Sequence, residues 1–144
     1  MPDRIDLDAL VRAAGDGIVV ADPEGRITFW NPAAERIFGF PAADVLGESL
    51  DLIIPERFRA RHWAGYREVM RTGETRYGTQ VLRVPAVRRD GRQISIAFTV
   101  ALLSAPDGRV TGIAAIVREE TARWEEEQAL RRRLAALEKS APSD

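Results

Sequence analysis

The chain holds no cysteine and one histidine, His62, among its 144 residues. Without thiols there is no disulfide framework and no thiolate metal site. With one imidazole there is no two-histidine metal site, and a Ser-His-Asp arrangement would have to rest on His62 itself. Neither sign of charge is in excess: 21 Lys and Arg stand against 22 Asp and Glu. No basic field therefore marks nucleic acid as a partner. No long apolar run is present, so no membrane span is expected. The opening MPDRIDLDALV lacks the apolar core of a signal peptide. No nucleotide loop, paired-carboxylate motif or metal-ligand spacing stands out, which argues against an enzyme. These absences point to a cytoplasmic, non-catalytic chain, long enough for one domain with a sizeable core.

What is present is well punctuated. Leu7, Leu10, Val11 and Ala14 have helical spacing, so Asp6–Ala14 reads as a short lead-in helix capped by Asp6. Gly17–Ala21 is rich in β-branched residues and reads as a strand. Asp22-Pro23-Glu24-Gly25 has turn chemistry, and Arg26–Trp30 forms the second strand. Asn31 followed by Pro32 is a helix start, the Asn as cap and the Pro at the first helical position. Helices are predicted over Asn31–Phe38 and Ala42–Leu46, with Gly39 and Gly47 as stops. A turn covers Ser49–Ile54, and the longest helix of the body runs over Glu56–Thr72, ended by Gly73. Three strands follow, Tyr77–Val87, Gln93–Ser104 and Val110–Arg118. Asp-Gly turns at Arg89-Asp90-Gly91 and Pro106-Asp107-Gly108 join them.

Two hairpin regions separated by helices imply an α+β layer, one five-stranded antiparallel sheet with short helices on one face. From Glu119 to Lys139 the chain turns to Glu, Arg, Ala and Leu with no Gly or Pro, a composition that favours a long helix. Leu130, Leu134 and Leu137 form one stripe on it, interrupted towards its start by Glu127 and Arg123. The stripe is expected to dock on the domain or on a second copy. The organisation is thus a lead-in segment 1–15, a domain 16–118 and a helical extension 119–144.

The passage GIVVADPEGRITFWNPAAERIFGF, with RRDGRQISIAFTVALL and GRVTGIAAIVREET, resembles the PAS family from about Leu10 to Arg118. The resemblance implies a sensory module on the PAS fold, signalling through its terminal helices. It also implies a homodimer and a downstream signalling protein or separately encoded output domain as partners. The family's terminal strand usually ends in Asp-Ile-Thr; here the step reads Glu119-Glu120-Thr121, so that junction's ion pair and apolar contact do not simply carry over. Light-sensing relatives attach their flavin or coumaryl pigment through a Cys, and no Cys-linked pigment is possible here.

His62 carries the sharpest functional expectation. In oxygen-sensing PAS kinases of nitrogen-fixing bacteria, to which the surroundings of His62 are similar, a His on this helix is the axial ligand of heme b. The resemblance therefore marks His62 as the ligand of a heme iron. Leu82, Val84, Phe98, Val100, Ile113 and Ala115 would form the apolar wall, each pair two apart and so on one face of its strand. Arg59 and Arg76 would meet the propionates. Those sensors carry an oxygen-binding Arg where Leu82 stands here, with Arg83 turned to the other face. That departure implies a sensor of carbon monoxide, nitric oxide or redox state.

Other readings stay open at this point. His62 could simply cover its helix, and the ligand could be an unidentified small molecule. The chain could also be a cofactor-free dimerisation domain held by its lead-in helix and the outer face of the sheet. Val19, Ala21, Ile27, Phe29, Phe38, Ile53 and Met70 are expected on the inner face beside Phe98 and Val100. Trp63, next to His62, is expected to point away from that face.

Overall fold

The computed structural model describes residues 4–75 and 78–140. Helix α1 (Leu7–Ala13) is capped by Asp6, whose side chain accepts from the Ala9 amide. Strands β1 (Gly17–Ala21) and β2 (Ile27–Trp30) follow. Next come α2 (Pro32–Phe38), α3 (Ala42–Val45), a 3-10 turn over Leu50–Ile53 and α4 (Glu56–Thr72). Strands β3 (Leu82–Val87), β4 (Gln93–Ser104) and β5 (Val110–Glu119) complete the sheet, and α5 (Thr121–Ser140) leaves it. All pairings are antiparallel, in the order β2-β1-β5-β4-β3.

The expected α+β layer is therefore what the chain adopts, and most element ends fall where the capping residues put them. Strand β3 starts later than expected, at Leu82; Tyr77, the predicted start, lies outside the described residues. The three hairpin turns share one construction. In each, the backbone amide of Asp22, Arg88 or Ala105 bonds the carbonyl four residues on, and the glycine amide closes the turn inside it. That is a three-residue loop with a bulge at its glycine. At the first of these, Gly25 has φ +83°, and a Cβ there would sit 2.2 Å from the Trp63 ring. Only glycine serves both the turn and the packing.

Register decides which side chains share a face. Val19 pairs with Ala115 and Ala115 with Val100; Ala21 pairs with Ile113 and Ile113 with Leu102. Phe98 pairs with both Leu82 and Val117. One face thus carries Val19, Ala21, Ile113, Ala115, Val117, Val100, Phe98, Leu82 and Val84, and the helices cover the Val19–Ala21 part of it. The core packs there, with Ile27, Trp30, Phe38 and Val45 almost fully buried. Phe29 corrects the expectation. It pairs with Val20, not Val19, and so lies on the outer face. Opposite the Val20–Ala21 step, Thr28 is an extra residue of β2; this bulge puts Ile27 and Trp30 inward and leaves Phe29 out, which alternation alone does not reveal.

Asn31 joins three elements. It is fully buried. Its Oδ1 accepts from the Ile18 amide at 2.8 Å and the Ala34 amide at 3.0 Å. Its Nδ2 donates to the Val11 carbonyl at 2.9 Å and the Asp16 carbonyl at 3.1 Å. Two acceptor and two donor positions are thus filled, the full capacity of the amide. Asn31→Ala would strip partners from buried backbone groups on α1, β1 and α2 at once. The expected cost is about 2–4 kcal/mol, read as a lower urea midpoint at unchanged slope. A change below about 0.5 kcal/mol, typical of a surface substitution, would contradict this role.

Candidate functional site

Helix α4 presents an inward stripe of Phe58, Arg59, His62, Trp63, Tyr66, Val69 and Met70, between exposed Arg, Glu and Ala positions. Its fastenings are polar. The Tyr66 hydroxyl donates to the Asp22 carbonyl at 2.5 Å, and the Trp63 indole N–H donates to Asp51 Oδ1 at 2.7 Å. Arg59 donates to the carbonyls of Ile54 and Asp51, and Arg57 reaches Gln93 at 3.1 Å. The helix is thereby tied to the β1–β2 turn, to the 3-10 turn and to the start of β4. Burial, with the nearby Asp22 and Glu24, holds the Tyr66 hydroxyl well above its ordinary range, so it stays a donor.

Two expectations change here. Trp63 does not point outward; it is half-buried, packed on Gly25 and against the core. The inward stripe is wide enough to take both members of the His62-Trp63 pair. Arg59 is bound to backbone carbonyls of the 3-10 turn, so its guanidinium is not free for a propionate. Arg76 lies outside the described residues.

His62 lies against Trp63, ring centroids 4.6 Å apart and edge-on, and against Tyr66 at 5.7 Å. Its Nδ1 is buried without a hydrogen-bond partner among the described residues. Burial lowers its pKa from the ordinary 6.5, and the Asp51 charge opposes the shift. The ring is therefore neutral near neutral pH, the form in which imidazole ligates a metal.

The six residues expected to form an apolar wall fall on one face of the sheet by register. Leu82, Phe98, Val100, Ile113 and Ala115 are half-buried and Val84 is exposed. The wall is an open apolar patch at the β3–β5 end, in contrast to the closed packing at β1. Leu82 and Arg83 face opposite sides, and Arg83 is engaged on the outer side by Glu120 at 3.2 Å. A groove of about 350 Å3 runs along the β3 edge to the start of α5, lined by Arg57, Val84, Pro85, Ile94 and Trp124 among others. Of these five, Val84 alone was among the expected site residues.

The family model for the PAS fold matches residues 5–119. The chain belongs to the PAS family. This PAS domain is 26% identical over 122 residues to the oxygen sensor protein DosP of Escherichia coli, an alignment covering 85% of the chain and 15% of that protein. It is 29% identical over 136 residues to the signal transduction histidine-protein kinase AtoS of the same organism, covering 93% of the chain and 20% of the kinase. Among solved structures, an RNA-binding light-oxygen-voltage receptor superposes with a TM-score of 0.75 at 26% identity, over 90% of this chain and 36% of that one. The chain thus spans a fifth or less of the curated relatives' length. It is a PAS domain homologous to parts of an oxygen sensor and of a sensor kinase.

The junction to α5 departs from the family's usual step and is nevertheless bonded. The Glu120 amide donates to the Ser95 carbonyl at 2.8 Å. The Ser95 amide donates to Thr121 Oγ1 at 3.1 Å, and Arg83 pairs with the second glutamate of the step. No helix of the described residues is long and apolar enough to cross a membrane. No cluster of three or more potential metal-binding side chains occurs among them.

A pH effect follows from His62. The half-buried ring resists the proton that the unfolded chain accepts at 6.5. Its contribution to stability is therefore full above that value and is lost as pH falls through it towards the lower folded pKa. The urea midpoint should drop between about pH 7.5 and 5.5, and by less in His62→Phe. An equal drop in both would show that His62 is not the group responsible.

Proposed function

We propose that this PAS domain is a non-catalytic sensory module. Its small ligand sits between α4 and the open apolar patch of the sheet, and heme b, whose iron His62 would hold, is the cofactor that best suits the residues. One observation carries the reading: a neutral, half-buried imidazole sits on the inward stripe of α4, in a domain whose β3–β5 face is apolar and only half covered. The similarity to an oxygen sensor supports the same reading.

In this account His62 supplies the one nitrogen donor, and Leu82, Val84, Phe98, Val100, Ile113 and Ala115 supply a dry apolar surface for a flat macrocycle. When bound, the heme supplies an iron able to change redox state or take a diatomic gas. Leu82 offers no hydrogen bond on that side, so the residues favour carbon monoxide, nitric oxide or redox sensing over tight oxygen binding. A shift of β3 and β4 reaches α5 through Ser95, Thr121 and the Arg83–Glu120 pair. From there it passes to a second copy and to a downstream signalling protein or output domain in the cytoplasm.

A second reading, a cofactor-free homodimerisation domain, has its own observation. The outer sheet face exposes Leu103 and Ile116, and α1 exposes Leu7 and Leu10. The visible spectrum separates the two. Protein mixed with hemin and passed through a desalting column should carry a Soret band that His62→Ala loses while its far-UV circular dichroism is unchanged. No band in the parent, or an equal band in the variant, would end the heme reading and leave the dimerisation module.

A further inference from the structure

The groove at the β3 edge is where α4, the sheet and α5 meet. Arg57 lines it from α4, Val84, Pro85 and Ile94 from the sheet, and Trp124 and Glu125 from α5. Its volume of about 350 Å3 is at the lower end of the range in which pockets hold one small organic molecule, about 300–1,000 Å3. Helix α5 has no buried residue along its 20, and from residue 129 to 140 every position is exposed. Its leucine stripe therefore does not dock on its own domain, and its first turn is the part that borders the sheet.

We propose that this groove is a further ligand site. It takes a small aromatic monocarboxylate, with the ring beside Trp124 and the carboxylate on Arg57. The charges decide the anion. Arg83 also lines the groove, but Glu120 already meets it at 3.2 Å. Arg57 has a neutral partner, Gln93 at 3.1 Å, and belongs to none of the ion pairs among the described residues. Its guanidinium also lies over the Phe58 ring, 4.7 Å from the centroid. Both contacts brace the group without neutralising it, and a guanidinium is a planar fork that matches a carboxylate. Glu125 stands on the α5 side, so the anion belongs at the α4 end and the uncharged body of the ligand at Trp124.

The walls decide the body. Trp124 is 47% exposed and shares the groove with Val84, Pro85 and Ile94. A flat ring laid against the indole takes apolar surface of both partners out of water. A peptide added to the sheet as a further strand fits less well. Strand β3 is an outer strand, and Pro85 lies in its middle. Ser95, which pairs with Pro85, turns its amide to Thr121 and its carbonyl to Glu120. The backbone of Pro85 therefore faces the open edge, where it has no N–H to give. The groove shares Val84 with the apolar patch beneath α4 and none of the patch's other five residues, so this proposal stands independently of the heme reading. An occupant touches α4, β3 and the first turn of α5 together, which fixes the direction in which α5 leaves the domain.

The test uses the full chain, isotope-labelled for NMR. It is titrated with cinnamate, and with cinnamyl alcohol as the uncharged counterpart, up to about 10 mM, a range suited to a weak site. The three tryptophans give three indole N–H signals. Cinnamate should move the Trp124 signal, identified by its absence in Trp124→Phe, and leave those of Trp30 and Trp63 in place. Arg57→Gln should weaken cinnamate about tenfold and leave cinnamyl alcohol unchanged, with far-UV circular dichroism as in the parent. A Trp63 signal that moves while Trp124 stays still places the probe near His62 and overturns the proposal. No movement in any of the three signals overturns it too, as does equal affinity for cinnamate in the parent and in Arg57→Gln.

Discussion

The structure depends first on one buried amide. Asn31 is closed off from water, and all four of its hydrogen-bonding positions are taken by backbone groups of the α1–β1 region and of α2. A buried amide of this kind is costly unless every position is met. The surrounding backbone therefore has little freedom: β1 must begin where Ile18 can donate, and α2 where Ala34 can. Trp30, just before it, adds an indole bond to the Phe40 carbonyl at 3.0 Å, which folds the chain after α2 back over the sheet. One end of the domain is rigid because its polar contacts and its apolar packing require the same geometry.

The other end is built differently. Helix α4 is tethered mostly by long side chains reaching turns: Tyr66 to Asp22, Trp63 to Asp51, and Arg59 to the 3-10 turn. The apolar face of β3, β4 and β5 beneath this end is only half covered. A sheet face that keeps Phe98, Val100 and Ile113 partly open forgoes burial that a plain core would take. That combination suits a module that exchanges a ligand. Burial is also what keeps the imidazole neutral, so the same packing that leaves His62 without a partner suits it to be a donor.

Much of this was legible in the sequence. Caps and stops at Asp6, Asn31, Pro32, Gly39 and Gly73 are local signals, and they placed the helices within a residue or so. Alternation placed Leu82 with Val84, Phe98 with Val100 and Ile113 with Ala115, each pair on one face of its strand; the pairing register brings the three pairs to one face of the sheet. What failed was non-local. Phe29 was put inside because a bulge at Thr28, in its own strand, is invisible in the pattern. Trp63 was put outside because a helix face wider than one residue takes two neighbours. Arg59 looked free until the carbonyls of the 3-10 turn came within reach. Asn31 read as an ordinary cap; its bonds to Val11 and Asp16 bridge up to twenty residues, and nothing local announces them.

The contrast between a rigid end and an open end is tested most directly by native-state hydrogen exchange of single amides. The Ile18 and Ala34 amides, both bonded to Asn31 Oδ1, should exchange only through global unfolding, while amides of α4 and of the edge strand β3 should exchange faster through local opening. Exchange at Ile18 and Ala34 as fast as in α4 would contradict the account, because the domain would then have no anchored end for the open one to move against.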